Sequence, residues 1–210
     1  MKTIQEQLKK IKTEQRMGLM THVVAGYPSL EATAHLIASM EEAGVDFIEI
    51  QIPFSDPAAD GPVIMEANDV ALRAGTTVDD CFQLMREVSK KTSIPLLFMS
   101  YYNILFRRGV DTFCREAQEA GVAGLIVPDM PVDEESHEHL IRATKKYNLS
   151  FIPVLSPTST DDRLALHAQF TEWFVYCTAR AGTTGVREHV ELQLDQYLKK
   201  VRHYITTPLA

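Results

Sequence analysis

The chain has 210 residues, room for one domain with a sizeable core, and its 21 Lys and Arg against 28 Asp and Glu give a net charge of −7. The basic pairs (Lys9-Lys10, Lys90-Lys91, Arg107-Arg108, Lys145-Lys146, Lys199-Lys200) are scattered along the chain, which argues against nucleic-acid binding. Cys81, Cys114 and Cys177 are odd in number, lack metal-type spacing and lie in apolar periodic stretches, so buried thiols in a reducing compartment are expected. The N-terminus holds no signal-type apolar core, and the longest apolar-rich run, Pro95 to Phe106, is too short to span a bilayer, so a cytoplasmic location is expected.

In chain order, an amphipathic helix with Ile4, Leu8 and Ile11 on one face comes first. Short apolar runs then follow at Gly18 to Val24, Phe47 to Ile52, Pro95 to Tyr101, Ala123 to Val127, Ser150 to Leu155 and Trp173 to Thr178. Between and after them, Leu30 to Ala43, Val78 to Lys91, Val110 to Ala120, Asp133 to Tyr147, Asp161 to Phe170 and Val190 to Tyr204 carry helical period, several opened by acidic, Ser or Thr residues. Continuous apolar strands separated by helices predict a parallel sheet covered on its outer face. Glu42-Ala43-Gly44-Val45 and Glu119-Ala120-Gly121-Val122 each precede a strand, so one helix-to-strand turn is used twice.

Polar and special residues recur at the C-terminal ends of the runs: Gly26-Tyr27-Pro28, Glu49, Tyr101-Tyr102-Asn103, Pro128-Asp129, Ser156-Pro157-Thr158 and Arg180-Ala181-Gly182. This favours a TIM-type (β/α)8 barrel, whose chemistry sits at those ends, over an open sheet. About six βα units are present, and Thr206-Thr207-Pro208-Leu209-Ala210 reads as the start of a seventh strand. The expectation is therefore a single barrel domain over residues 1–210 lacking its last strands and helices, with open edges that invite association with another copy.

The chemistry points to Glu49 at the end of an apolar strand and to the loop Pro53-Phe54-Ser55-Asp56-Pro57-Ala58-Ala59-Asp60-Gly61-Pro62, where one pocket can hold an acid/base group beside a hydrogen-bond acceptor. From the residues alone, Glu49 could instead meet a helix N-terminus, and Asp56 and Asp60 could cap turns. His137 and His139, two apart in a helical stretch, make a poor chelating pair, and no metal site is expected. Arg107-Arg108 reads as a solvated turn. No lysine falls at the end of a strand, which disfavours Schiff-base aldol chemistry.

Val24-Ala25-Gly26-Tyr27-Pro28, Phe47-Ile48-Glu49-Ile50 with the proline-rich loop, Tyr101-Tyr102-Asn103, Val127-Pro128-Asp129-Met130-Pro131 and Tyr176-Cys177-Thr178-Ala179-Arg180-Ala181-Gly182-Thr183-Thr184-Gly185 together resemble the tryptophan synthase alpha subunit. The resemblance implies retro-aldol cleavage of indole-3-glycerol phosphate to indole and glyceraldehyde 3-phosphate, with no metal or organic cofactor. It places the general acid/base on Glu49 and the acceptor for the indole N–H on Asp60. Tyr101 and Tyr176 fall on the indole pocket, Thr184 and Gly185 on a mobile phosphate-holding loop, and Asp56 on the surface that meets a pyridoxal-phosphate-dependent beta subunit. Gln51 stands where that family usually has glycine and is expected to crowd the pocket or turn Glu49 aside; His22 replaces an apolar or aromatic residue. Alternative readings are an inactive fragment, an assembly or regulatory partner of the beta subunit, or another phosphate-handling barrel lyase or isomerase.

Overall fold

In the computed structural model, which describes residues 3–179 and 194–210, the chain opens with α1 (Ile4–Thr13). Thr3 and Glu6 cap its start reciprocally, and Lys10 and Lys12 lie in the last turn, where the helix dipole favours cations. The elements then alternate as β1 (Met20–Val24), α2 (Leu30–Glu42), β2 (Phe47–Gln51), α3 (Pro62–Arg73), α4 (Val78–Val88), β3 (Leu96–Met99), α5 (Tyr102–Arg108), α6 (Val110–Glu119) and β4 (Gly124–Ile126). A 3-10 turn (Val132–Glu134) leads into α7 (Glu135–Glu138), α8 (Leu140–Lys146), β5 (Ser150–Ile152), β6 (Val154–Leu155), α9 (Asp161–Phe170), β7 (Tyr176–Cys177) and α10 (Leu194–Tyr204).

Strands β1 to β5 pair in parallel and in chain order, and β6 pairs in parallel with β7. An order that never reverses is that of a barrel arc; doubly wound sheets double back. The expected start of a further strand is present as a parallel bridge from Val175 to Leu209.

Pleating divides the strand residues into two cores. Ile48, Ile50, Leu96, Phe98, Leu125 and Phe151 face the helices. Phe47, Leu97, Met99, Ile126 and Ile152 face the interior, where Ile4, Leu8 and Ile11 of α1 pack against them. Register fixes what else points inward: Met20 lies opposite Phe47, His22 opposite Glu49, and Val24 opposite Gln51. The repeated turn also holds, with Gly44 at φ +91° and Gly121 at φ +87°, each just past a helix end, where a side chain would strain the backbone.

Several local expectations change. Gly61 and Pro62 start a helix, α3, directly from the acid-rich loop; the missing N–H of Pro62 costs nothing in a first turn. The stretch Asp133 to Tyr147 is not one helix, because His139 at φ +57° separates α7 from α8. His137 and His139 are both exposed. Arg108 is no solvated turn residue: it ends α5, pairs with Asp79 at 2.7 Å and with Glu116, and lies 4.8 Å from the Phe82 ring centre. Burial pushes the thiols of Cys81 and Cys114 up to about 12, whereas Cys177 is only half-buried. Among the described residues no helix is long and apolar enough to cross a membrane.

Candidate active site

Alternation along β2 determines the site: Ile48 and Ile50 go to the helices, so Phe47, Glu49 and Gln51 line the interior in ascending order. Glu49 is buried, at 4% exposure, and lies on a cavity of about 600 Å³ at the C-terminal ends of the strands. Its partner comes from the register opposite: His22 Nδ1 stands 3.2 Å from Glu49 Oε2. Burial presses the His22 imidazole downward, but the hydrogen bond to Glu49, the charge of Glu49 and the more distant Asp60 outweigh it, leaving the pKa raised.

Asp60 arrives from the proline-rich loop. The Phe54 N–H donates to Asn68 Oδ1 at 2.9 Å, the Asp60 N–H to the Pro57 carbonyl at 2.9 Å, and the Ala59 N–H to the Tyr101 hydroxyl at 3.0 Å. The Phe54 and Tyr101 rings stack at 5.1 Å. The loop so held turns the Asp60 carboxylate inward onto the same cavity as Glu49. Burial raises the Asp60 pKa, against the opposing hydrogen bonds from Gln51 and Tyr101.

Crowding by Gln51 takes another form than expected. Its amide nitrogen donates to Asp60 Oδ2 at 2.7 Å and approaches Asn68 Oδ1 at 3.3 Å, so the larger side chain is absorbed as a support for Asp60. Among the described residues, Gln51 Oε1 and His22 Nε2 are buried without hydrogen-bond partners.

The remaining expected residues divide. Tyr176 lines the cavity, and its hydroxyl pKa is raised by burial and then by the charges of Glu49 and Asp60. Tyr101, 1% exposed, is outside the set that bounds the cavity; its hydroxyl holds the loop that carries Asp60. Asp56 is exposed and accepts from the Ser55 hydroxyl at 2.6 Å. Thr184 and Gly185 lie outside the described residues.

Sequence reasoning missed four contributors. His22 was only a deviation until register set it opposite Glu49, a signal available from aligning the two apolar runs. Asp129, in a motif already noted, lines the cavity and accepts the Tyr102 N–H at 2.8 Å, with burial raising its pKa. The far wall carries Arg163, whose Nη2 lies 2.9 Å from Asp133, and His167, which burial pushes down to about 4. Nothing in their helical spacing marked these two.

Two inward carboxylates on one half-apolar cavity, one beside a histidine and one beside an amide, can move a proton and steady a cation within a single ligand. The sequence profile of the family "Tryptophan synthase alpha chain" matches residues 8–210. The tryptophan synthase alpha chain of Desulfotalea psychrophila is 45% identical over 208 residues, covering 99% of this chain and 81% of that protein. That of Thermoanaerobacter sp. (strain X514) is 37% identical over 210 residues, covering all of this chain and 79% of its own length. Among solved structures, tryptophan synthase of Mycobacterium tuberculosis superimposes with a TM-score of 0.89 at 30% identity, covering 98% of this chain and 78% of the other. Tryptophan synthase subunit alpha of Legionella pneumophila gives 0.88 at 30% identity, with coverages of 100% and 77%. Matched over nearly its whole length in both sequence and fold, this chain belongs to the tryptophan synthase alpha chain family.

Proposed function

We propose that this chain is a lyase of tryptophan biosynthesis that cleaves indole-3-glycerol phosphate into indole and glyceraldehyde 3-phosphate, with Glu49 as general acid/base and Asp60 as the acceptor of the indole N–H. The observation that carries this reading is that Glu49 and Asp60 both line one cavity while each has its own support, His22 for the first and Gln51 for the second. In the reaction, the ring carbon bonded to the glycerol chain takes a proton, which leaves positive charge centred on the ring nitrogen. The fixed Asp60 carboxylate stabilises that charge. Loss of the hydroxyl proton from the adjacent side-chain carbon then breaks the carbon–carbon bond, forms the aldehyde and returns the electron pair to the ring. Glu49 serves both proton transfers.

Tyr176 flanks the ring. By the family resemblance, Thr184 and Gly185 are assigned to the phosphate. The chemistry asks for no metal or organic cofactor. The test is indole release by the parent and by Glu49→Gln: a loss of about 10²- to 10⁴-fold is expected, and equal rates in the two would remove Glu49 from the mechanism.

A partner role accompanies this reading. Asp56 is exposed, and Val63, Met65 and Phe106, on the helices that follow β2 and β3, are 76%, 47% and 63% exposed. We assign these exposed positions to contact with the beta subunit, a pyridoxal-phosphate enzyme that receives the indole. Titration with the beta subunit should give binding weakened by Asp56→Ala; no binding by the parent would remove the partner role.

A further inference from the structure

Phe47, Glu49 and Gln51 rise along the inner face of β2, and Met20, His22 and Val24 rise opposite them on β1. Glu49 and His22 are thus cross-strand neighbours whose separation is set by the backbone ladder and owes nothing to loop placement. Two further details single the pair out. His22 Nδ1 engages only one carboxylate oxygen, Oε2, at 3.2 Å. Among the described residues, His22 Nε2 is buried without a partner, as is the carbonyl oxygen of Gln51, one strand over and already bound to Asp60 through its nitrogen. A buried lone pair and a buried carbonyl oxygen without donors both cost free energy. A proton on Nε2 would answer both only by donating toward that oxygen, and the Gln51 side chain is among the groups that raise the His22 pKa.

We propose that His22 is the positioning residue of Glu49: its Nδ1–H holds Oε2 from the neighbouring strand, so that proton exchange with the ligand falls to Oε1. The inference rests on the reading of this cavity as the indole-3-glycerol phosphate site. A glutamate has three side-chain torsions to fix, and an anchored oxygen removes most of that freedom before the ligand arrives. The acids facing His22 are Glu49 from β2 and Asp60 from the following loop. Tyr176 from β7 is the other titratable group on that wall, α3 contributes Ile64, and Asp129, Asp133, Arg163 and His167 bound the rest of the cavity. Because both nearby acids favour the imidazolium, His22 keeps its proton to a higher pH than an ordinary histidine, and the anchor weakens as pH rises through that point.

A pair that merely neutralised a buried acid would affect stability alone, so the experiment reads kcat, KM and pH dependence in folded protein. His22→Phe keeps the volume and removes the donor. His22→Asn places an amide N–H near the position of Nδ1 and does not titrate. Expected are a fall in kcat of about ten- to a hundredfold in His22→Phe with KM little changed, recovery in His22→Asn, and loss in His22→Asn of a basic limb that the parent shows. Independently of turnover, imidazole ¹⁵N NMR should move the His22 midpoint down in Glu49→Gln. An unmoved midpoint, or a His22→Phe variant with the parent's kcat and pH profile, overturns the inference and leaves the proposed function standing. A parent that releases no indole overturns the function, and the positioning role with it, whatever the NMR result.

Discussion

The two ends of the barrel interior are built on the same strands and differ in every property that matters. At the N-terminal end, Phe47, Leu97 and Phe174 meet Ile4 of α1, with Phe47 and Phe174 rings 5.6 Å apart. The Asp46 carboxylate there is satisfied, although Gln7 Oε1 is buried without a partner: Asp46 accepts from Arg16 at 2.6 Å, from Gln7 Nε2 at 2.6 Å and from the Leu19 N–H at 2.9 Å, which ties α1 and the turn after it to the sheet. At the C-terminal end, two or four residues further along, the interior holds His22, Glu49 and Gln51, with Asp60 folded over them, around open volume and with polar atoms left unpaired. One end is closed and stable; the other is kept costly, as expected where charge must be available to a ligand.

The difference can be broken from either side. The largest effect expected is at the closed end, where Phe47→Ala removes a buried ring and should cost about 3–5 kcal/mol in chemical denaturation. An unchanged midpoint would show that the apolar end is not what holds the interior together. At the open end Asp60→Asn should act in the opposite sense on stability and activity. Its amide oxygen still accepts from Gln51, but the charge is gone, and kcat should fall by about 10²-fold. Because burial raises the folded pKa of Asp60, the folded state holds a proton the unfolded chain has lost, and stability falls as pH rises through that window. Neutralising the residue should therefore raise the melting temperature at neutral pH; a lower one would contradict the assignment of Asp60 as a strained anion.

The smallest effect sharpens the closed end. Hydrogen bonds from Arg16 hold the Asp46 pKa below the ordinary carboxylate range, so the unfolded chain takes up the proton first as the solution is acidified. The stabilisation is complete above the ordinary carboxylate range and drains away as pH falls through the lowered value. Arg16→Ala should shrink that acid dependence, leaving the part due to Gln7 and the Leu19 N–H, and loosen α1 while leaving turnover near the parent's, read by thermal melts across the acidic range.

Much of the fold was legible because it is periodic. Runs such as Phe47 to Ile52 and Pro95 to Tyr101 alternate with helical stretches, and the doubled Glu-Ala-Gly-Val turn repeats a backbone need, so a parallel barrel followed from local pattern. Boundaries failed where a single backbone angle decided them, as at His139, or where an eye-catching loop hid the helix behind it, as at Pro62. Within the site, Glu49 and Asp60 stood out as acids in special places, yet their supports did not. His22 and Gln51 look like departures when each is read along its own strand, and they acquire a purpose only through pairing across strands and the fold of the loop, which no single run of residues encodes. Tyr101 shows the converse: the family resemblance marks it as a ligand contact, while its hydroxyl is engaged by the Ala59 N–H.

Pro153 separates β5, which pairs with β4, from β6, which pairs with β7, so the two ladders meet at a single residue that cannot donate to either. That seam divides the cavity wall as well, with Glu49 on the long ladder and Tyr176 on the short one. Deuterium should enter the amides of Tyr176 and Thr178 well before those of Ile50 and Phe98, and a fluctuation that parts the seam would widen the ligand chamber without disturbing the carboxylate opposite.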